Sequence, residues 1–297
     1  MKISIGPLRY DFIAHDEWGR KELGNYRQHF RAIGFSGNPG RIVHLLRYDL
    51  KKEDFKPVKA RRLPPALAAI ASTKAPRFGW SLFHDNRGFS YWRHSKTAHS
   101  FWTMDPAFYN GPMVFQIPWP LFFEDILRMG GGLMHAGLAE KSGQGIIFSA
   151  PSGGGKTTAL SRLPKPWRVL ADDAVLIWPE KGKGLQASPL PTWGGLVGTS
   201  LPCPTIRGKW ANMLTLPLAE VAFIKKNDAD RLLPFPPPAA LPELFRALCE
   251  HPMTIGIYKP HTRSLFRLAA RIARGPRLWI LETTRRGRFW KEFEGLI

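Results

Sequence analysis

The sequence predicts an α/β protein with α+β elements: a β-rich region over residues 1–125, then, over 126–297, a core built on a mixed sheet. Three observations lead there. The N-terminal part carries short aromatic runs broken by turn residues, the pattern of paired strands. From about residue 130 onward, short apolar runs alternate with segments of helical period. At the join of one such run and helix sits a glycine-rich loop. A chain of 297 residues has length enough for one large domain or two smaller ones, each with a sizeable core.

Along the chain, Met1 to Asp11 alternates and predicts a first strand. Leu23 to Ile33 sets Tyr26, Phe30 and Ile33 at helical spacing, and Arg41 to Leu50 returns to strand character. Pro64 to Thr73 reads as a short alanine-rich helix opened by proline. Gly79 to Asp85, Phe89 to Arg93 and Ala98 to Met104 predict an antiparallel meander, with a turn at Asp85-Asn86-Arg87-Gly88. Its rings (Trp80, Phe83, Phe89, Tyr91, Trp92, Phe101 and Trp102) read as sheet core in preference to a platform for a flat ligand. Trp119 to Met129 is amphipathic and ends at Gly130-Gly131-Gly132, and the boundary between the two parts falls near Leu121–Gly132.

Beyond that boundary, Leu133 to Glu140 and Gly145 to Ser149 predict strands, followed by the glycine-rich loop and a helix running to Pro164. Arg168 to Ala171 and Ala174 to Trp178 predict strands around an acidic pair, and Glu220 to Lys225 another. Phe235-Pro236-Pro237-Pro238 reads as a loop. Pro242 to Cys249 and Thr262 to Arg274 have helical period, Leu278 to Glu282 strand character, and Phe289 to Leu296 is read as a final helix.

Composition narrows the function classes. Apolar residues at 44% and charged residues at 22% exclude a mostly disordered chain. No run approaches the ~18 apolar residues of a membrane span, so no transmembrane segment is expected. Met1 to Pro7 has no apolar stretch of the kind a signal peptide needs. Cys203 and Cys249 are too few for a disulfide framework and lack zinc-site spacing, so a cytoplasmic protein is expected. The formal net charge is +20. A field of that sign attracts nucleic acid, anionic membrane, nucleotides or an acidic protein, but the basic residues are scattered, with local clusters at Lys59 to Arg62 and Arg285-Arg286 with Arg288. Helix-turn-helix, zinc-finger and RNP patterns are absent, so nucleic acid ranks low as a partner.

The sharpest motif is Ala150-Pro151-Ser152-Gly153-Gly154-Gly155-Lys156-Thr157, after the apolar Gly145 to Ser149. It fits the P-loop pattern with Ala150 in place of the first glycine, in the strand–loop–helix context the pattern requires. Glycines let several backbone N–H groups converge on one anion. The N–H groups at the start of the helix, through Thr158, face the same anion. Lys156 would reach the outer phosphates of ATP or another nucleoside triphosphate, and the Thr157 hydroxyl would ligate Mg²⁺.

Asp172 and Asp173 follow a short apolar strand, sixteen and seventeen positions after Lys156. Carboxylates at a strand's C-terminal end would stand beside a phosphate site. One can hold Mg²⁺ and the other take a proton from an attacking hydroxyl. Neighbours on a strand point to opposite faces, so the two should have different jobs. His135, in Leu133-Met134-His135-Ala136-Gly137, reads on its own as a satisfied core histidine.

These residues together resemble the catalytic domain of HPr kinase/phosphorylase and its relatives. That family carries a His-Gly pair on a strand, a P-loop whose lysine follows the histidine by twenty-one positions, and a V-A-D-D-x-V strand. Lys156 follows His135 by the same interval, and Leu170-Ala171-Asp172-Asp173-Ala174-Val175 matches the second motif. The match covers Gly132 to Ile177 and extends toward the C-terminus. It implies an HPr kinase/PEP carboxykinase-like P-loop core. By position it implies that Lys156 and Thr157 bind phosphates and metal, Asp172 is general base to a serine hydroxyl, Asp173 helps hold the metal, and His135 is a catalytic residue beside Asp172 and the transferred phosphoryl group. Shorter relatives occur in cassettes for ribosomally made, modified peptides. Ser188-Pro189-Leu190-Pro191-Thr192-Trp193 and the run from Leu218 are similar to the ScmC proteins of the SynChlorMet cassette.

Two departures bear on activity. Ala136 replaces the glycine after the histidine, and Thr205-Ile206-Arg207-Gly208 is the nearest counterpart of the family's E-x-R-G, with Thr205 in place of a metal-binding glutamate. The function the resemblance implies is ATP-dependent phosphoryl transfer to a hydroxyl, on serine of a peptide or small protein. The alternative is a nucleotide-binding accessory or sensor protein that kept the loop and lost the transfer chemistry. An acidic peptide would suit the basic surface, and a homo-oligomer stays open.

Overall fold

The computed structural model describes residues 1–15, 17–29, 39–47, 80–86, 89–94, 98–104, 119–190, 205–206, 209–210, 214–250, 259–294 and 296. The expected helix at Pro64 to Thr73 lies outside them, as do parts of the segments expected at 30–33, 48–50 and 191–193. The architecture is mixed α/β, dominated by sheets with few helices. The chain divides into two compact units, Met1–Ser4 with Leu8–Phe122 and Ile5–Pro7 with Phe123–Ile297.

The first unit carries β1 (Lys2–Ile5), β2 (Leu8–Ala14), α1 (Glu17–His29), β3 (Arg41–Arg47), β4 (Trp80–Asn86), β5 (Phe89–His94) and β6 (His99–Met104). The single strand expected over Met1 to Asp11 is two, because Gly6-Pro7 forms a turn. β2 alternates as a half-buried strand should, with Leu8, Tyr10 and Phe12 inside. The sheet order is β1-β2-β3-β6-β5-β4. The expected antiparallel meander is β4-β5-β6, but it is mounted on a parallel set, since β2, β3 and β6 run the same way. The side chains of the meander's seven expected core aromatics lie outside the described residues.

The second unit opens with the C-terminal part of α2 (Trp119–Arg128). Then come β7 (Gly132–Lys141), β8 (Gln144–Ser149), α3 (Lys156–Leu160), β9 (Arg168–Ala171), β10 (Ala174–Glu180) and β11 (Gly184–Pro189). After a small hairpin, β12 (Thr205–Ile206) and β13 (Lys209–Trp210), follow β14 (Leu216–Lys226), β15 (Arg231–Pro234), α4 (Pro237–Cys249), α5 (Thr262–Ile272) and β16 (Arg277–Thr283). The large sheet has the order β11-β10-β7-β8-β14-β16-β15, with β9 joined to β7. β11 also pairs with β14, through Gln186 opposite Pro217 and Ala187 opposite Leu216, so five strands close into a ring. β8, β14 and β16 are parallel, and their C-terminal ends share one edge.

In the first unit α1 begins at Glu17, six residues before the expected Leu23, and three helices of the second unit differ from expectation for local reasons. α3 stops at Leu160, well before Pro164. Proline has no N–H to give the Leu160 carbonyl, and Leu163 N donates to it at 3.2 Å instead, tightening the last turn. α4 starts at Pro237, inside the stretch read as loop. Prolines in the first turn forgo only N–H groups that a helix start leaves unbonded anyway. The final helix is a 3-10 helix over Phe289–Phe293. It sets two fully buried rings on Phe148, at centroid distances of 6.1 and 5.9 Å, within a core that includes Ile146, Trp167, Ala222 and Leu281.

Candidate functional site

β8 is a buried strand: Ile146, Ile147 and Phe148 have no exposed surface. At Ser149 the chain leaves the sheet and turns through Ala150–Gly155 into α3. The loop is held by Gly154 N donating to the Pro151 carbonyl at 2.9 Å and Ala159 N donating to that of Gly155 at 2.8 Å. A Cβ at Gly154 would lie 2.7 Å from the Ala150 Cβ and 2.8 Å from the Pro151 oxygen, so the bend admits only glycine there without shifting. Gly155 has φ +100°, which L side chains rarely adopt. Lys156 is 7% exposed and folds over its own loop, its Nζ donating to the carbonyls of Ala150 at 2.8 Å and Pro151 at 3.4 Å. Burial pushes its amine below the usual lysine value. Asp173 and Asp172 oppose that shift, and Arg246 adds to it.

β7 supplies the second half of the site. One edge pairs with β8, Ala136 opposite Ser149. The other edge is shared: β10 pairs where Ala174 faces His135, and β9 where Ala171 faces Leu138. Asp172 and Asp173 fill the break between those strands, anchored by Ala136 N donating to the Asp173 carbonyl at 3.1 Å. Ala136 therefore stands between the strand that leads into the loop and the acidic doublet. Strand spacing puts the two about 10 Å apart across it.

The doublet occupies a bend, not a strand, and this corrects the expectation that the two carboxylates face opposite sides. Asp172 is 1% exposed and Asp173 partly exposed, yet both line one cavity of about 250 Å³. His135 Nε2 lies 3.0 Å from Asp173 Oδ1. The resemblance set the histidine beside Asp172. Its short contact is to Asp173, and all three line the same cavity. Ser152, Gly153, Gly155, Lys156, Thr157 and Thr158 form the rest of the wall, while Ala150, Pro151 and Gly154 frame the loop. Among the described residues no group of three or more His, Cys, Asp or Glu side chains converges as a metal site. The side chain of Thr205 lies outside the described residues.

Two residues near the loop were not anticipated. Lys226, at the end of β14, donates to the Gly153 carbonyl at 3.3 Å. Arg246, on α4, is held by Glu243 and Glu250 at 2.7 Å each and acts on Lys156 through its charge. The C-terminal ends of parallel strands are where a ligand crevice forms, so Lys226 at the end of an apolar run was the available clue.

The arrangement joins a glycine-rich turn, a buried lysine and a pair of carboxylates around one cavity. The chain belongs to the SynChlorMet cassette protein ScmC family, whose model matches residues 113–297. No curated protein matches it. Among the described residues, no helix is long and apolar enough to cross a membrane.

Proposed function

We propose that this protein is an ATP-dependent phosphotransferase with an HPr kinase-like P-loop core, acting on a hydroxyl, in the first place a serine of a peptide or small protein. The observation that carries the reading is the shared cavity of Lys156, Thr157, Asp172, Asp173 and His135 beside the loop. Backbone N–H groups of the loop and the Lys156 ammonium would bind the triphosphate and stabilise charge on the transferring group. The acceptor oxygen attacks the γ-phosphorus in line, the bond from that phosphorus to the β–γ bridging oxygen breaks, and ADP leaves. Asp172 accepts the hydroxyl proton.

The donors present suit Mg²⁺. Thr157 and Asp173 line the cavity, and positions 153 and 155 have open space where a Cβ would stand. One or two protein oxygens are the usual protein share of such a site. When bound, the ion would neutralise charge on the phosphates. His135 orients the Asp173 carboxylate that would hold it.

The test uses labelled ATP with candidate acceptor peptides. Lys156→Ala is expected to abolish nucleotide binding. Asp172→Asn is expected to leave binding intact and slow transfer by at least about a hundredfold; transfer at the wild-type rate by that variant would remove the role given to Asp172. Thr205, at the position that the HPr kinase resemblance gives to a glutamate, favours a second reading, a nucleotide-binding accessory protein. That reading predicts bound ATP with no transferred phosphate.

A further inference from the structure

Away from the loop cavity, α5 lines an open groove of about 640 Å³ against the β10–β11 hairpin. The helix and the turn that follows it, through Arg274, are sharply two-sided. Leu265, Leu268, Ala269 and Ile272 are buried, and Arg267, Arg271 and Arg274 are exposed on the groove wall. At spacings of four and three residues the arginines form one stripe about 10 Å long. Among the described residues none of the three makes an ion pair; the Arg274 side chain only donates to the Ala270 carbonyl at 3.2 Å. The carboxylate on the groove wall, Glu180, is already paired with Lys183 at 2.7 Å. Pro179 and Leu185 supply apolar surface.

We propose that this groove binds an acidic peptide segment in extended form. Three unpaired guanidinium groups can each take a carboxylate through paired N–H donors. Alternate side chains of an extended peptide recur about every 7 Å, so two or three acids on one side match the stripe. The apolar surface accommodates the methylene carbons of such a chain. Single-stranded nucleic acid is the less suitable occupant, because it needs aromatic faces on which bases stack, and no Phe, Tyr or Trp lines the groove among the described residues. Binding here is independent of phosphoryl transfer. One corollary does rest on the transfer reading. β10 runs from Ala174, next to the acidic doublet, to Glu180 at the groove, about 20 Å. The acidic stretch would then lie at least about six extended residues from the reacting hydroxyl.

The experiment measures fluorescence anisotropy of a labelled peptide of alternating glutamate and alanine on the full chain, with the glutamine version as control. Unlabelled single-stranded DNA and phosphatidylserine vesicles serve as competitors. Two triple variants remove the same charge: R267S/R271S/R274S in the groove, and R285S/R286S/R288S outside it. The groove variant is expected to weaken the acidic peptide by about tenfold or more, with the other variant near wild type. Lys156→Ala is expected to bind the peptide normally, which separates this proposal from the transfer reading. Equal losses in both triple variants would reduce the effect to net charge and overturn the proposal. So would an unchanged groove variant, equal binding of the glutamine peptide, or groove-dependent binding of DNA or vesicles tighter than that of the peptide.

Discussion

Lys156 shows how one side chain ties the proposed chemistry to pH. Its amine is held below the usual value mainly by burial, so it loses its proton at lower pH than an exposed lysine. Under the proposed reading, ATP affinity falls as pH rises into the alkaline range, and does so earlier than a solvated lysine would allow. Calorimetric titration checks this, and Lys156→Arg, which keeps its charge, is expected to flatten the alkaline limb. A second residue predicts a pH effect on stability. His44, in the first unit, is linked to His15 at 2.8 Å and to His99 at 2.9 Å. Burial, then those two rings, push it down to about 3. The unfolded chain takes up this proton near pH ~6.5, before the folded one does, so stability is full above that value and lost as pH falls toward 3. The loss amounts to roughly 2 kcal/mol by pH 5, read by urea denaturation at pH 7 and 5, and His44→Leu is expected to remove most of the difference. Lys156, Asp172 and Asp173 were legible in the sequence because local spacing carries their meaning. His135 was legible only through resemblance. Lys226 and Arg246 were not, because strand order and helix packing, which no local pattern encodes, bring them to the loop.

Among the elements, the informative departure is the break between β9 and β10. The hydrophobic pattern interrupted by two acids reads as two strands around the pair, and the fold has both, β9 and β10. What the pattern does not carry is that both lie end to end along one edge of β7, which only the pairing reveals. Helix ends depart from expectation where proline reads as a boundary in general: Pro164 ends α3 a turn before itself, and Pro237 begins α4. Glycines make the separation of roles testable. A Cβ on Gly137 would lie 2.3 Å from Leu160 Cδ1, because α3 packs close on β7 there. Gly137→Ala is expected to destabilise by about 1–3 kcal/mol through overpacking. Gly154→Ala should instead displace the loop and, under the proposed reading, weaken ATP binding by about tenfold or more while the melting temperature stays within a few degrees. Thermal melts and nucleotide titrations on the two variants distinguish packing from binding.

For the molecule as a whole, the sequence conveyed the alternation of strands and helices but not its wiring. The closure of β11 onto β14 and the parallel mounting of the N-terminal meander are long-range pairings with no sequence period of their own. Two compact units suggest where ligand linkage should be felt. Under the proposed reading, nucleotide at about a hundred times its dissociation constant should stabilise the unit spanning Phe123–Ile297 by about 2.7 kcal/mol, seen as a raised transition in calorimetry, with no shift in Lys156→Ala. One feature of the sheet gives a finer view. The Ala136 N–H donates to the backbone of the acidic doublet, while the same residue pairs through β8 with the last position before the loop. Its amide resonance is thus a built-in spectroscopic gauge. Exchange with deuterated solvent at this one proton reports whether the doublet's backbone has let go, and, under the proposed reading, a chemical-shift change on adding nucleotide would register its arrival between loop and doublet.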